Sequence, residues 1–116
     1  MINLLVVILP DSLKSEAVID AWVDAGVGGV TILDSAGLSQ GRIHGMVDDM
    51  PLIPSLSSLL DRGKVNHFTL FTVIDDDVLL ERAIRAAQIK AGGFTTPENG
   101  IMFVVPVARA WGLGSM

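Results

Sequence analysis

The chain contains no cysteine. Disulfide frameworks, thiolate metal sites and cysteine nucleophiles are therefore excluded. Histidine is nearly absent too: His44 and His67 are the only two, and they lie far apart in sequence. No nucleophile stands beside a base, so no catalytic set is read and the chain is expected not to be an enzyme. Basic residues are few, with 8 Lys and Arg against 13 Asp and Glu and a net charge of −5. They are scattered along the chain. Phosphate backbones demand clustered cations, so nucleic acid is not an expected partner. Long apolar runs are missing as well. The longest near the N-terminus, residues 4–10, is far short of a membrane span and lacks the basic flank and small-residue cleavage site of a secretory signal. A cytoplasmic protein, not itself membrane-embedded, is the expectation.

What the chain does have is aliphatic mass: 50% of its 116 residues are hydrophobic, mostly Val, Ile, Leu and Ala. That length fits a single domain, 1–116, which buries roughly two-thirds of its unfolded surface. So high an apolar fraction in so small a chain leaves apolar surface to cover, which favours a homo-oligomer.

Residues 2–9, INLLVVIL, are almost continuously apolar and predict a central strand buried on both faces. Pro10 ends it. Asp11 and Ser12 are helix-capping types, with Glu16 expected to place negative charge in the first turn. Over 13–25 the spacing of Leu13, Ala17, Val18, Ala21, Trp22 and Ala25 predicts one helical face, with Lys14, Ser15, Asp20 and Asp24 off it. Trp22 is read as core. Gly26 is the expected left-handed stop. Residues 29–35 predict a second, more polar strand. Residues 36–50 read as a long loop marked by Gly37, Gly41 and Gly45, and 55–61 as two helical turns. Residues 66–74 predict a third strand, with Phe68, Leu70, Thr72 and Ile74 on one face and His67, Thr69, Phe71 and Val73 on the other. The run Asp75-Asp76-Asp77 opens a second helix with Leu80, Ala83, Ile84, Ala87 and Ala91 as its apolar face, and Gly92 stops it. A last strand over 101–105 ends at Pro106.

This order is βαββαβ, an α+β ferredoxin-like plan with a four-stranded antiparallel sheet and a long loop after strand two. Right-handed crossovers place strands one and three in the middle, two and four at the edges, and both helices on one sheet face. The other face then carries too many apolar residues for water, and association through it is the simplest remedy.

Several residues support two readings. Asn99-Gly100 is a turn signal, and also a place where backbone N–H groups can approach an anion. The loop glycines match neither a dinucleotide fingerprint nor a P-loop. Arg42 is either solvated or meets a ligand phosphate or a partner carboxylate. His44, Asp48 and Asp49 carry metal-ligand chemistry without a closing geometry that sequence can show. Trp111 lies in a glycine-flanked tail and suits an intersubunit contact.

Three segments carry a resemblance: Gly29-Val-Thr31-Ile-Leu-Asp34-Ser-Ala-Gly37, then Val73-Ile-Asp75-Asp76, then Asn99-Gly100-Ile-Met-Phe103-Val-Val-Pro106-Val. With these the chain resembles the PII-like nitrogen-regulatory signalling superfamily over nearly its whole length. The resemblance implies a ferredoxin-like homotrimer that binds adenine nucleotides (ATP, ADP, AMP or a cyclic form) in clefts between subunits. It implies no covalent cofactor. It also implies a loop after strand two, here 36–50, that changes conformation and docks on a transporter or enzyme. Thr31 matches the family's strand-two threonine near the adenine, Gly37 the glycine that opens the loop, and Gly100 the last glycine on the phosphate side, preceded by Asn99. Gln40 matches the loop glutamine after a one-residue shift, and Arg42 is the loop's cation. The chain departs from the pattern elsewhere. Ile101 stands where the family has a lysine, Gly112 occupies the position of one C-terminal arginine, Arg109 is out of register for the other, and there is no tyrosine for loop modification. A divergent signalling member is the expectation. Two alternatives stand beside it: a trimer resembling the CutA family, binding divalent metal through His44, Asp48 and Asp49, and an interaction trimer without a ligand.

Overall fold

The computed structural model describes residues 1–38, 64–96 and 99–114. Among these residues four strands and two helices follow the chain as β1 Asn3–Leu9, α1 Ser12–Ala25, β2 Thr31–Leu38, β3 Lys64–Ile74, α2 Asp77–Ala91 and β4 Ile101–Pro106. The strands form one antiparallel sheet in the order β2-β3-β1-β4. This is the expected ferredoxin-like α+β plan, with β3 and β1 in the middle.

Both helices begin with the same device. The Asp11 carboxylate accepts the N–H of Leu13 at 2.7 Å, and the Asp76 carboxylate accepts those of Val78 and Leu79 at 2.9 and 3.2 Å. Each satisfies donors that the helix itself leaves unpaired. Both also end alike, on Gly26 and Gly92 in the left-handed region, where glycine carries no Cβ penalty.

The helices cover one face of the sheet. Leu5, Val7 and Leu9 of β1 and Leu70 and Ile74 of β3 meet Val18 and Trp22 of α1 and Leu80, Ala83, Ala87 and Ala91 of α2 in one buried cluster. The alanines of α2 let the helix lie close to the sheet, and Trp22 fills the space between the helices. Thr72, a buried polar residue of the helix-facing row of β3, donates its hydroxyl to the Gly29 carbonyl at 2.6 Å.

Four expectations need correction. Glu16 lies beyond the first turn of α1, which holds no acidic residue. Ser15, expected off the apolar face, is buried and donates its hydroxyl to the Asp11 carbonyl at 2.9 Å, while Leu13, expected on that face, is 74% exposed. The helix is rotated so that Ser15, Val18 and Trp22 face inward. The second strand starts at Thr31 and runs on to Leu38, because β3 starts at Lys64 and its ladder takes up residues 36–38. Residues 36–38 of the expected 36–50 loop are thus strand. The rest of that segment, and the turns expected at 55–61, lie outside the described residues.

Candidate functional site

Among the described residues the second sheet face carries no helix. Strand parity puts Leu4, Val6 and Ile8 of β1, Phe71 and Val73 of β3, Leu33 of β2, and Ile101, Phe103 and Val105 of β4 on it. Val6 is shielded here because its two cross-strand partners are Phe71 and Phe103. The edges are open: Leu33 is 50% exposed and Phe103 41%. An apolar array this continuous is unusual on a surface that stays in water.

Thr31 opens β2 opposite Phe71. It therefore lies on this open face, in the row Thr31–Phe71–Val6–Phe103, with its side chain exposed. Four residues further along, the strand period brings Ser35 to the same face. Its hydroxyl meets the Thr69 hydroxyl at 2.9 Å and donates to the His67 carbonyl at 3.2 Å. Thr31, Ser35, His67 and Thr69 make a polar corner on an otherwise apolar face. The sequence reading missed Ser35 and Thr69 as site residues. The available signal was hydroxyls of matching parity on two strands, which becomes informative only once the register is known.

Gly37 does not open a loop. It sits inside β2 opposite Val65, because the ladder to β3 extends past it. Gly100 holds a different kind of position. Its φ is +101°, and a Cβ built there would lie 2.4 Å from the Ile8 carbonyl oxygen and 3.1 Å from Leu9. Glycine is required at this turn by close approach to β1. Asn99, just before it, donates its N–H to the Thr96 carbonyl at 3.1 Å. Gln40 and Arg42 lie outside the described residues, as do His44, Asp48 and Asp49. Among the described residues no group of three His, Asp or Glu side chains is placed to hold a metal ion. The acidic run at 75–77 does serve a helix start: Asp76 is the cap, and Asp77 lies 3.7 Å from the N-terminal amine.

Within one chain the two groups of expected site residues do not meet. Thr31 and Gly37 lie on β2 and Asn99-Gly100 lead into β4, the two opposite edges of the sheet. Two strands intervene, which sets the edges roughly 14 Å apart at about 4.8 Å per step. The two groups can share a small ligand only if the β2 edge of one copy faces the β4 edge of another.

No family model matches the chain, and no curated protein matches it. Among solved structures it is similar to the crystal structure of Arabidopsis thaliana PII bound to citrate. That likeness has a TM-score of 0.62 at 18% sequence identity and covers 91% of this chain and 77% of that one. At such identity the likeness is one of fold, and function has to be argued from the site.

Proposed function

We propose that this chain is a PII-like regulatory protein whose trimer binds a small anionic metabolite between subunits. One observation carries the reading: Thr31 and Gly37 lie at one edge and Asn99-Gly100 at the other of a sheet whose second face is apolar and, among the described residues, uncovered. Copies that associate through this face bury Phe71, Phe103 and Val105 and bring the β2 edge of one subunit to the β4 edge of the next. Thr31, with the Ser35–Thr69 hydroxyl pair, then supplies hydrogen bonds from one side, and the turn at Asn99-Gly100 supplies the Gly100 N–H from the other, that of Asn99 being held by the Thr96 carbonyl. Gln40 and Arg42 complete the site from the loop, and Arg42 offsets the ligand's charge. An adenine nucleotide is the proposed ligand. The similarity of fold to a PII structure that holds citrate supports a small anion as the class. Binding changes the conformation of the loop after β2, and with it what a transporter or enzyme partner can recognise.

The test is a thermal-shift series on the purified oligomer with ATP, ADP, AMP, cyclic AMP, cyclic di-AMP, 2-oxoglutarate, citrate, bicarbonate and divalent metals. A ligand at about 100 times its Kd adds roughly 2.7 kcal/mol per site, enough to raise the melt by several degrees. A nucleotide-selective rise supports the reading. A response confined to metals, or none at all, overturns it.

A further inference from the structure

The outward face of the helical layer is charged in halves. On α1 the acids Glu16, Asp20 and Asp24 recur every fourth residue and are all exposed. On α2 the exposed face carries Arg82 and Arg85, with Glu81 beside them. Among the described residues no ion pair joins these acids to these arginines; Asp77 of α2 pairs instead with the Met1 amine. The same face shows four large aliphatic side chains, two per helix: Leu13 at 74%, Val23 at 61%, Val78 at 64% and Ile89 at 68% exposed. The helix period puts them among the charges, on the side away from the core.

The two helices are antiparallel, because each returns along its preceding strand and β1 and β3 are antiparallel. The hydrogen bond from Trp22 Nε1 to the Ala83 carbonyl sets their relative height. It puts residues 20–24 of α1 level, within about a turn, with residues 82–85 of α2. A two-fold axis lying parallel to the helices and in the plane of contact keeps heights unchanged and exchanges left for right. It therefore lays α1 of one copy over α2 of another, with Asp20 and Asp24 facing Arg82 and Arg85, and does so twice. The same operation places the aliphatics of each α1 against those of the opposing α2.

We infer that this face is a self-complementary, salt-sensitive contact with the helical layer of a second copy of this chain. It is independent of the open sheet face, on the opposite side of the molecule. Its size sets its strength. Two helices about 20 Å long and together about 20 Å wide cover about 400 Å² per side. The total, about 800 Å², is below the roughly 1,000 Å² that a stable interface needs, so the contact is transient and concentration-dependent. Several such faces on one oligomer strengthen it by multivalency.

Sedimentation velocity at about 20 mM and about 1 M NaCl, over a range of protein concentrations, reads the contact directly, because the screening length falls from over 10 Å to about 3 Å. Weight-average mass is expected to rise with concentration at low salt, toward roughly twofold or beyond, and to return to the high-salt value in Asp20→Lys and in Arg85→Glu. The double variant Asp20→Lys/Arg85→Glu restores it, since each swapped lysine again faces a swapped glutamate. All three variants are surface changes, checked by circular dichroism for retained helix content. A mass that does not respond to salt overturns the inference. So does a low-salt mass that survives either reversal, or one that the double swap fails to restore. Phe103→Glu, which acts on the opposite face, lowers the mass at both salts and so separates failure here from failure of the sheet-face reading.

Discussion

The indole Nε1–H of Trp22 donates to the carbonyl of Ala83 at 2.9 Å, with both residues fully buried. This bond ties α1 to α2 at the centre of the core. Trp22→Phe keeps most of the apolar bulk, removes the donor and leaves a gap. Unfolding free energy is expected to fall by about 1–3 kcal/mol. Urea denaturation followed by circular dichroism measures it, and a change under about 0.5 kcal/mol would show that the bond contributes little.

Gly100 and Gly28 make a matched pair of tests. An alanine Cβ at Gly100 would meet the Ile8 carbonyl oxygen at 2.4 Å with φ at +101°, whereas one at Gly28 meets nothing within 4 Å. Gly100→Ala is expected to cost at least about 2 kcal/mol by strain and displacement of β4 from β1. Gly28→Ala is expected to be neutral or to stabilise by up to about 1 kcal/mol, by restricting the unfolded chain. Thermal melts of the two variants, compared side by side, decide it. The same geometry means that a bulky residue at Gly100 tests the fold before it tests a ligand.

Thr72 is 4% exposed and donates to the Gly29 carbonyl at 2.6 Å. Thr72→Val preserves the shape and leaves that carbonyl without its side-chain partner. A loss of about 1–2 kcal/mol is expected. The effect should appear also as faster amide exchange around residues 28–30, which this bond holds to β3. Unchanged exchange there would assign the anchoring of this segment to other contacts.

Phe103 lies beside Val6 on the open sheet face and is 41% exposed. A charge there is compatible with a folded single chain and incompatible with a buried interface. Light scattering in about 1 M NaCl, which screens the helical face, is expected to show Phe103→Glu at the mass of one chain, 12.3 kDa, and the unmodified protein at a multiple of it. Equal masses for the two proteins would remove the sheet face as an assembly surface.

Much of the framework was legible because its signals are local. Asp11 and Asp76 bond N–H groups two or three residues ahead, and Gly26 and Gly92 act on the turn immediately behind them. The near-continuous apolar run of β1 and the alternation of β3 identified the central strands. The candidate site was less legible. Thr31, Asn99 and Gly100 were singled out one by one, yet which of them share a face or an edge depends on strand register. Ser35 and Thr69 were overlooked for the same reason.

The sequence by itself determined the order of elements, where the helices start and stop, and which strands are central. Each of these follows from capping chemistry or hydrophobic period within a few residues. Tertiary structure alone decided that Ser15 turns inward and Leu13 outward, since the rotation of α1 follows from how Trp22 and Val18 meet the core rather than from counting apolar positions. It decided that Gly37 belongs to a ladder with Val65, a pairing between residues distant in sequence. It decided that Gly100 is held to glycine by the Ile8 carbonyl of another strand. And it set Thr31 opposite Phe71 and Ser35 opposite His67, because register comes from long-range pairing that no local pattern encodes.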